Sequence, residues 1–189
     1  MTGGTTMTNK VYYSWQDIER QCQSIVNQIA RDSWMPDYVV GITRGGNVPA
    51  TIISHMLGVR CEALKVALRD NSECETNCWM AEDAFGVVSD DDYTSRWDVD
   101  LRKNILIVDD INDTGETLKW IQRDWQSTCF PNEEYAWGSI WERTVRFATL
   151  VHNTPSDFGD VSYYATEINK IENPQWICFP WEVVGEYRD

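Results

Sequence analysis

An α/β fold with a mainly parallel central sheet flanked by helices is predicted by three features of this 189-residue sequence. Short apolar runs alternate with amphipathic helical stretches, the pattern of strand–helix–strand units that bury a sheet on both faces. One run, Ile105-Leu106-Ile107-Val108, is four consecutive β-formers with no polar alternation, as a fully covered parallel strand requires. Finally, 42% hydrophobic content in a chain of this length supports one domain with a proper core, and no repeat or internal linker divides it.

The elements follow in order. Ser14 with Asp17 three residues on forms a capping-box signature, and Ile18, Cys22, Ile25 and Ile29 then recur at helical spacing. Residues 38–43 read as a strand. Arg44-Gly45-Gly46-Asn47 is a tight turn, and Pro49 suits the first turn of a helix running to about Leu57. Glu62 to Leu68 is the next strand. Residues 69–100 are polar and acidic with weak periodicity, so they are expected to be a mobile loop. The 105–109 strand and a helix from Glu116 to about Trp125 come next. Residues 127–144 read as an insertion, and Val145 to His152 as a further strand. Residues 1–10, rich in Thr and Gly, are expected to be a disordered lead-in to a single domain over 11–189.

The chemistry concentrates in ILIVDDINDTGETLKWI, residues 105–121. Two carboxylates, Asp109 and Asp110, stand at the carboxyl end of a buried strand, where open α/β sheets bind ligands. The turn Asn112-Asp113-Thr114-Gly115 then opens a helix, whose N-terminal N–H groups and dipole favour phosphate. Adjacent acids beside a phosphate site suit a ligand with a phosphate and vicinal hydroxyls, or one carried with a divalent cation. A sugar phosphate with magnesium satisfies both. The turn Thr43-Arg44-Gly45-Gly46 repeats the strand–turn–helix arrangement: glycines admit an anion close to the backbone, and Arg44 can pair with phosphate oxygens.

The acids at 109 and 110, two spacers and Asp113-Thr114-Gly115-Glu116-Thr117 resemble, without a gap, the phosphoribosyl-pyrophosphate (PRPP) motif of the type I phosphoribosyltransferases. VVGITRGGNVPATIISHMLGV (39–59) resembles the pyrophosphate loop and following helix of the bacterial xanthine-guanine members, and ENPQWICFPWE (172–182) their C-terminal hood, taken as 163–185. The resemblance covers most of residues 11–182 and implies a type I phosphoribosyltransferase fold with a small C-terminal hood. It further implies transfer of the 5-phosphoribosyl group from PRPP to a purine base in salvage, with release of pyrophosphate. Thr43, Arg44, Gly45 and Gly46 would hold the pyrophosphate. Thr114, Gly115, Glu116 and Thr117 would cradle the 5′-phosphate, and Asp109 and Asp110 the ribose hydroxyls and Mg²⁺. Asp113 would serve the attacking nitrogen, with Arg44 as the second catalytic residue. Trp176 would stack on the base, with the backbone of Ile177 reading its edge.

The resemblance departs in three places. Leu68-Arg69-Asp70 replaces the Ser-Tyr pair that opens the family's mobile loop, residues 127–144 are extra, and the lysine that reads the purine 6-oxo group is missing. His152 stands near that lysine's place, either as a neutral donor to the base or as a satisfied strand-end residue. Two alternative functions remain: a phosphoribosyltransferase for another base, and a PRPP-binding regulator without catalysis.

Composition excludes other classes. With 30 acidic residues against 16 basic and a net charge of −14, the chain lacks the basic face of a nucleic-acid binder. No apolar run approaches the ~18–20 residues of a membrane span, and a cytoplasmic protein is expected. Cys74 and Cys78 lack the second pair or nearby His of a zinc set, so the six cysteines are expected as reduced thiols. Most of the ten tryptophans should serve the core or an interface, in keeping with the homodimer or homotetramer that family precedent implies.

Overall fold

The computed structural model describes residues 9–66, 68, 74–89 and 95–182. The elements in chain order are β1 (Asn9–Tyr12), α1 (Trp15–Arg31), β2 (Tyr38–Thr43), α2 (Asn47–Leu57), β3 (Arg60–Lys65), α3 (Cys78–Phe85), β4 (Val87–Ser89), β5 (Ser95–Trp97), β6 (Ile105–Asn112), α4 (Glu116–Thr128), β7 (Val145–Asn153), β8 (Tyr163–Ile168) and β9 (Gln175–Cys178). Five strands form the central sheet in the order β3-β2-β6-β7-β8, every pair parallel. β4 and β5 form an antiparallel hairpin, and β1 pairs in parallel with β9.

Strand alternation divides the core in two. Tyr38, Val40, Ile42, Ile105 and Ile107 face α3 and α4, meeting Met80, Phe85, Leu118, Ile121 and Trp125. Val39, Leu106 and Val108 face the other way, against Ile18, Cys22, Ile25 and Ile29 of α1 and Ala50 and Ile53 of α2. Both faces are thus buried, which explains why the strands read as continuous apolar runs. Helix α1 starts where its cap places it: the Asp17 N–H donates to Ser14 Oγ at 3.2 Å, and the Ser14 N–H donates back to Asp17 Oδ2 at 2.8 Å.

Four expectations are corrected. The stretch 69–100 is not wholly irregular: α3 lies within it, because Met80, Ala81, Ala84 and Phe85 form a short apolar face that docks on the sheet. The expected mobility of 69–73 and 90–94 lies outside the described residues. The expected insertion, 127–144, is not among these corrections: it packs into the core, with Trp137 fully buried and Trp141 stacked between Trp125 and Trp137 at centroid distances of 5.7 and 5.9 Å. Tyr163–Ile168 belongs to the central sheet rather than to the hood, and Asn9 and Lys10 belong to β1. The remainder of the lead-in, residues 1–8, and the end of the hood, 183–185, are outside the described residues.

The cysteines supply the fourth. Cys78 at the start of α3 and Cys129 at the end of α4 form a disulfide, their Cα atoms 5.2 Å apart. Their 51-residue separation gave no spacing signal; packing of α3 beside α4 brings them together. A cross-link of that span stabilises by about 2–4 kcal/mol through the unfolded chain. Reduction should therefore lower the melting temperature by roughly 5–15 °C, while a Cys78→Ser/Cys129→Ser double variant should melt at the reduced value with or without reductant. A wild-type melting curve indifferent to reductant, after thiol titration has shown reduction to be complete, would contradict this role.

Candidate active site

Adjacent strands β2 and β6 end side by side, with Gly41 opposite Val108, so their following turns share the carboxyl edge of the sheet. Gly46 is pressed so closely against β6 that a Cβ there would lie 2.4 Å from the Val108 carbonyl oxygen and 2.9 Å from Asp109 Cα. Gly45 lies under the Asp110 carboxylate with no space for a side chain. Helices α2 and α4 begin at Gly46 and Gly115, and neither glycine offers a side-chain cap. Both helix N-termini therefore open on one cleft of about 1050 Å³, whose walls include Thr43, Arg44, Gly45, Asp109 and residues 110–118. Within the turns the Asn47 and Val48 N–H groups donate to the Arg44 and Gly45 carbonyls at 3.3 and 3.4 Å, and the Glu116 N–H donates to Thr114 Oγ1 at 3.4 Å.

The second turn is held from behind. Gly115 has φ +89° and abuts Phe158 and Ser156, where a Cβ would come within 2.7 Å of the Phe158 backbone nitrogen. The Asp157 N–H donates to the Thr114 carbonyl at 3.1 Å, and Asn112 Nδ2 donates to the Phe158 carbonyl at 2.7 Å. Residues 156–158 thus fix the turn, a role without a motif of its own.

Asp109 and Asp110 sit in electrostatic tension. Burial and the Asp110 charge push the Asp109 carboxyl well above the usual carboxylate range. Burial first, then the charge of Glu182 across the cleft, raises Asp110 to about 6. Asp109 Oδ1 accepts the Asp110 N–H at 3.0 Å. Such a pair suits a divalent cation, which would offset both the desolvation and the repulsion. Among the described residues no three His, Cys, Asp or Glu side chains gather to hold a metal. Two carboxylates match the way Mg²⁺ is bound, with its other places taken by water and substrate phosphate.

The base side of the cleft departs from expectation. His152 is not among the cleft walls: its Nδ1 lies 3.1 Å from Asn112 Nδ2, and its ring stacks on Tyr164 at 5.0 Å. Burial lowers its pKa despite the opposing charge of Glu167. Of the two readings of His152, the geometry is that of a satisfied strand-end residue, because the register of β7 with β6 sets it opposite Asn112. Trp176 and Ile177 do line the cleft; Trp176 is 53% exposed, leaving an indole face free, and Ile177 is buried. Trp181 stacks on Phe179 at 4.8 Å. A residue not anticipated is Lys170, whose Nζ donates to Asp113 Oδ2 at 2.8 Å inside the cleft. Its sequence signal is isolation: it is the one Lys or Arg between Arg146 and Arg188.

The acid pair sets a pH dependence. A carboxyl with a raised pKa binds its proton more tightly in the folded state, so folding gains as pH falls from about 6 towards the unfolded value near 4, and loses as pH rises through that window. Asp17 works oppositely: hydrogen bonds from Ser14 and Arg20 lower it to about 2, and its contribution is lost only as pH falls below about 4. Asp110→Asn should therefore flatten the stability profile between pH 4 and 6. It should also raise metal-free stability at pH 7 by roughly 1–2 kcal/mol, the full shift being discounted for water in the cleft. Parallel melting profiles for the two proteins would refute this.

The chain matches the phosphoribosyl transferase domain over residues 8–187. It is 29% identical over 181 residues to a xanthine-guanine phosphoribosyltransferase of Cereibacter sphaeroides, covering 93% of this chain and 89% of the relative. It is 27% identical over 199 residues to a hypoxanthine-guanine phosphoribosyltransferase of Schizosaccharomyces pombe, covering 92% and 89%. A Helicobacter pylori xanthine-guanine-hypoxanthine phosphoribosyltransferase superposes with a TM-score of 0.62 at 20% identity, covering 93% and 95%. A purine phosphoribosyltransferase from Pyrococcus horikoshii does so with 0.57 at 22%, covering 92% and 94%. These two structures speak for the fold, a parallel sheet flanked by helices. The chain belongs to the phosphoribosyl transferase domain family, enzymes that transfer a phosphoribosyl group, and has the family's type I fold.

Proposed function

We propose that the protein is a purine-salvage enzyme that transfers the 5-phosphoribosyl group of PRPP to an oxopurine, xanthine, guanine or hypoxanthine, and releases pyrophosphate. The observation that carries this reading is the junction of two glycine turns and the helix N-termini that follow them around the acid pair on one cleft. The curated relatives named above act on the same bases.

In this reading the N–H groups of Thr114, Gly115, Glu116 and Thr117 hold the 5′-phosphate, with Thr114 and Thr117 hydroxyls adding bonds. Thr43, Arg44, Gly45 and Gly46 hold the pyrophosphate. Asp109 and Asp110 accept from the ribose hydroxyls and would hold Mg²⁺. When bound, that ion supplies positive charge to offset the negative charge that builds on pyrophosphate. Trp176 stacks on the base and the Ile177 backbone meets its edge. A base nitrogen attacks C1′ while the C1′–O bond breaks and its electron pair leaves with pyrophosphate. Asp113, beside that nitrogen, takes or stabilises its proton. The anionic ribose site tolerates the positive charge that develops at C1′.

The finer expectations of a homodimer or homotetramer and of a cytoplasmic location belong to the same proposal. No helix among the described residues is long and apolar enough to cross a membrane. A cytoplasmic location would set the Cys78–Cys129 pair in a reducing medium, where disulfides are rare.

Pyrophosphate release with PRPP, Mg²⁺ and a panel of guanine, xanthine, hypoxanthine, adenine, uracil and orotate tests the reading directly. Release with the oxopurines supports it; no release with any base leaves PRPP binding without catalysis as the function. Arg44→Ala should lower turnover roughly tenfold to a hundredfold, the worth of one charge-assisted bond. It should weaken PRPP more than a 5′-mononucleotide, which carries no pyrophosphate. Equal losses for the two ligands in calorimetry would mean that Arg44 meets some other group.

A further inference from the structure

The edge of the base that would face Asp113 still lacks a side chain to read it. Stacking on Trp176 accepts any flat ring, and His152 is turned into the strand layer. Lys170 stands where a reader is needed. It follows β8, lines the cleft with Asp113 and Trp176, and has a side chain only 20% exposed. Its place is built rather than incidental. Its backbone N–H donates to Asn153 Oδ1 at 3.0 Å, while Asn153 Nδ2 donates to the Asp113 carbonyl at 3.0 Å. One buried asparagine at the end of β7 thus ties both members of the Lys170–Asp113 pair.

We infer that Lys170 is the specificity-determining residue for the base, donating to an exocyclic carbonyl oxygen on the edge that faces Asp113, with Asn153 as its positioning residue. This rests on the transferase reading above. An ammonium has three N–H donors and no acceptor. One goes to Asp113 Oδ2, and among the described residues the ammonium meets no second partner. A carbonyl-bearing purine offers the acceptor that the remaining donors lack, whereas the 6-amino group of adenine presents donor to donor. A site built to hydrogen-bond one edge rejects the other because its buried group is left unpaired.

The test compares wild type with Lys170→Met, which keeps the stem and removes the donor, and with Lys170→Arg, which keeps charge and donors. Calorimetry with inosine and adenosine 5′-monophosphates gives a readout independent of turnover, and kcat/KM for hypoxanthine and adenine gives a second. Wild type should prefer the inosine nucleotide. Lys170→Met should lose roughly tenfold to a hundredfold of that affinity, with adenosine nucleotide binding held or improved. Lys170→Arg should retain the direction of the preference. Asn153→Ala should shift it the same way as Lys170→Met, through KM more than kcat. An equal loss for both nucleotides in a folded Lys170→Met protein would mean that Lys170 merely braces Asp113, and an undiminished preference would mean that another group reads the edge. Either result overturns this inference while leaving the transferase reading standing. Failure of wild type to bind either purine nucleotide would overturn both.

Discussion

The arrangement of the cleft depends on the contact between Gly46 and the backbone of β6. With Gly41 set opposite Val108, β2 and β6 run to the same edge of the sheet, ending at Thr43 and Asn112, and three residues separate each strand from its helix. Where the two turns meet there is room for backbone alone: a methyl group on Gly46 would intrude on the Val108 carbonyl, and one on Gly45 would occupy the place of the Asp110 carboxylate. That contact holds the two turns together beside the acid pair. The sheet's parallel register therefore does chemical service, because it brings two helix N-termini to one space with the acid pair between them.

An enzyme that carries a net charge of −14 must still receive a polyanion. Two helix N-termini at the carboxyl edge of the sheet supply partial positive charge there without adding formal charge. The acids pull the other way. Burial and the Asp110 charge raise Asp109, and burial with the Glu182 charge raises Asp110, so the folded state keeps unfavourable charge at the carboxyl edge of the sheet. Stability given up in the empty cleft returns when those charges find their partner, which couples binding to firmness of fold.

How much of this could be read beforehand follows from the range of the interactions. Helix α1, strands β2, β6 and β7 and helices α2 and α4 were legible because a cap, a glycine turn or an apolar period marks each within a few residues. The two turns that meet at the cleft, 43–46 and 113–117, were legible as contiguous motifs. What escaped is nonlocal. Cys78 and Cys129 meet across 51 residues, Lys170 reaches Asp113 across 57, and the turn at Gly115 is braced by Ser156 and Phe158 from beyond β7. His152 sits near the place where the family keeps a lysine, yet its neighbour Asn112 across the sheet decides where the ring is spent. Short α3 was hidden because its eight residues, set in acidic sequence, hold only two buried large side chains, Met80 and Phe85.

The pairing of β1 with β9 has a consequence for how the protein comes into being. Lys10 lies in register with Trp176, so a strand made among the first residues waits for one made some 165 residues later. On the ribosome, at about 5–20 residues per second, β2 to α4 can gather their core while that early strand is still alone. The two turns and the acid pair thus depend only on segments made before β9. The cleft wall at Trp176 and Ile177 exists only once the two distant strands have closed on each other, and a chain cut short before β9 would keep the two turns and lack that wall.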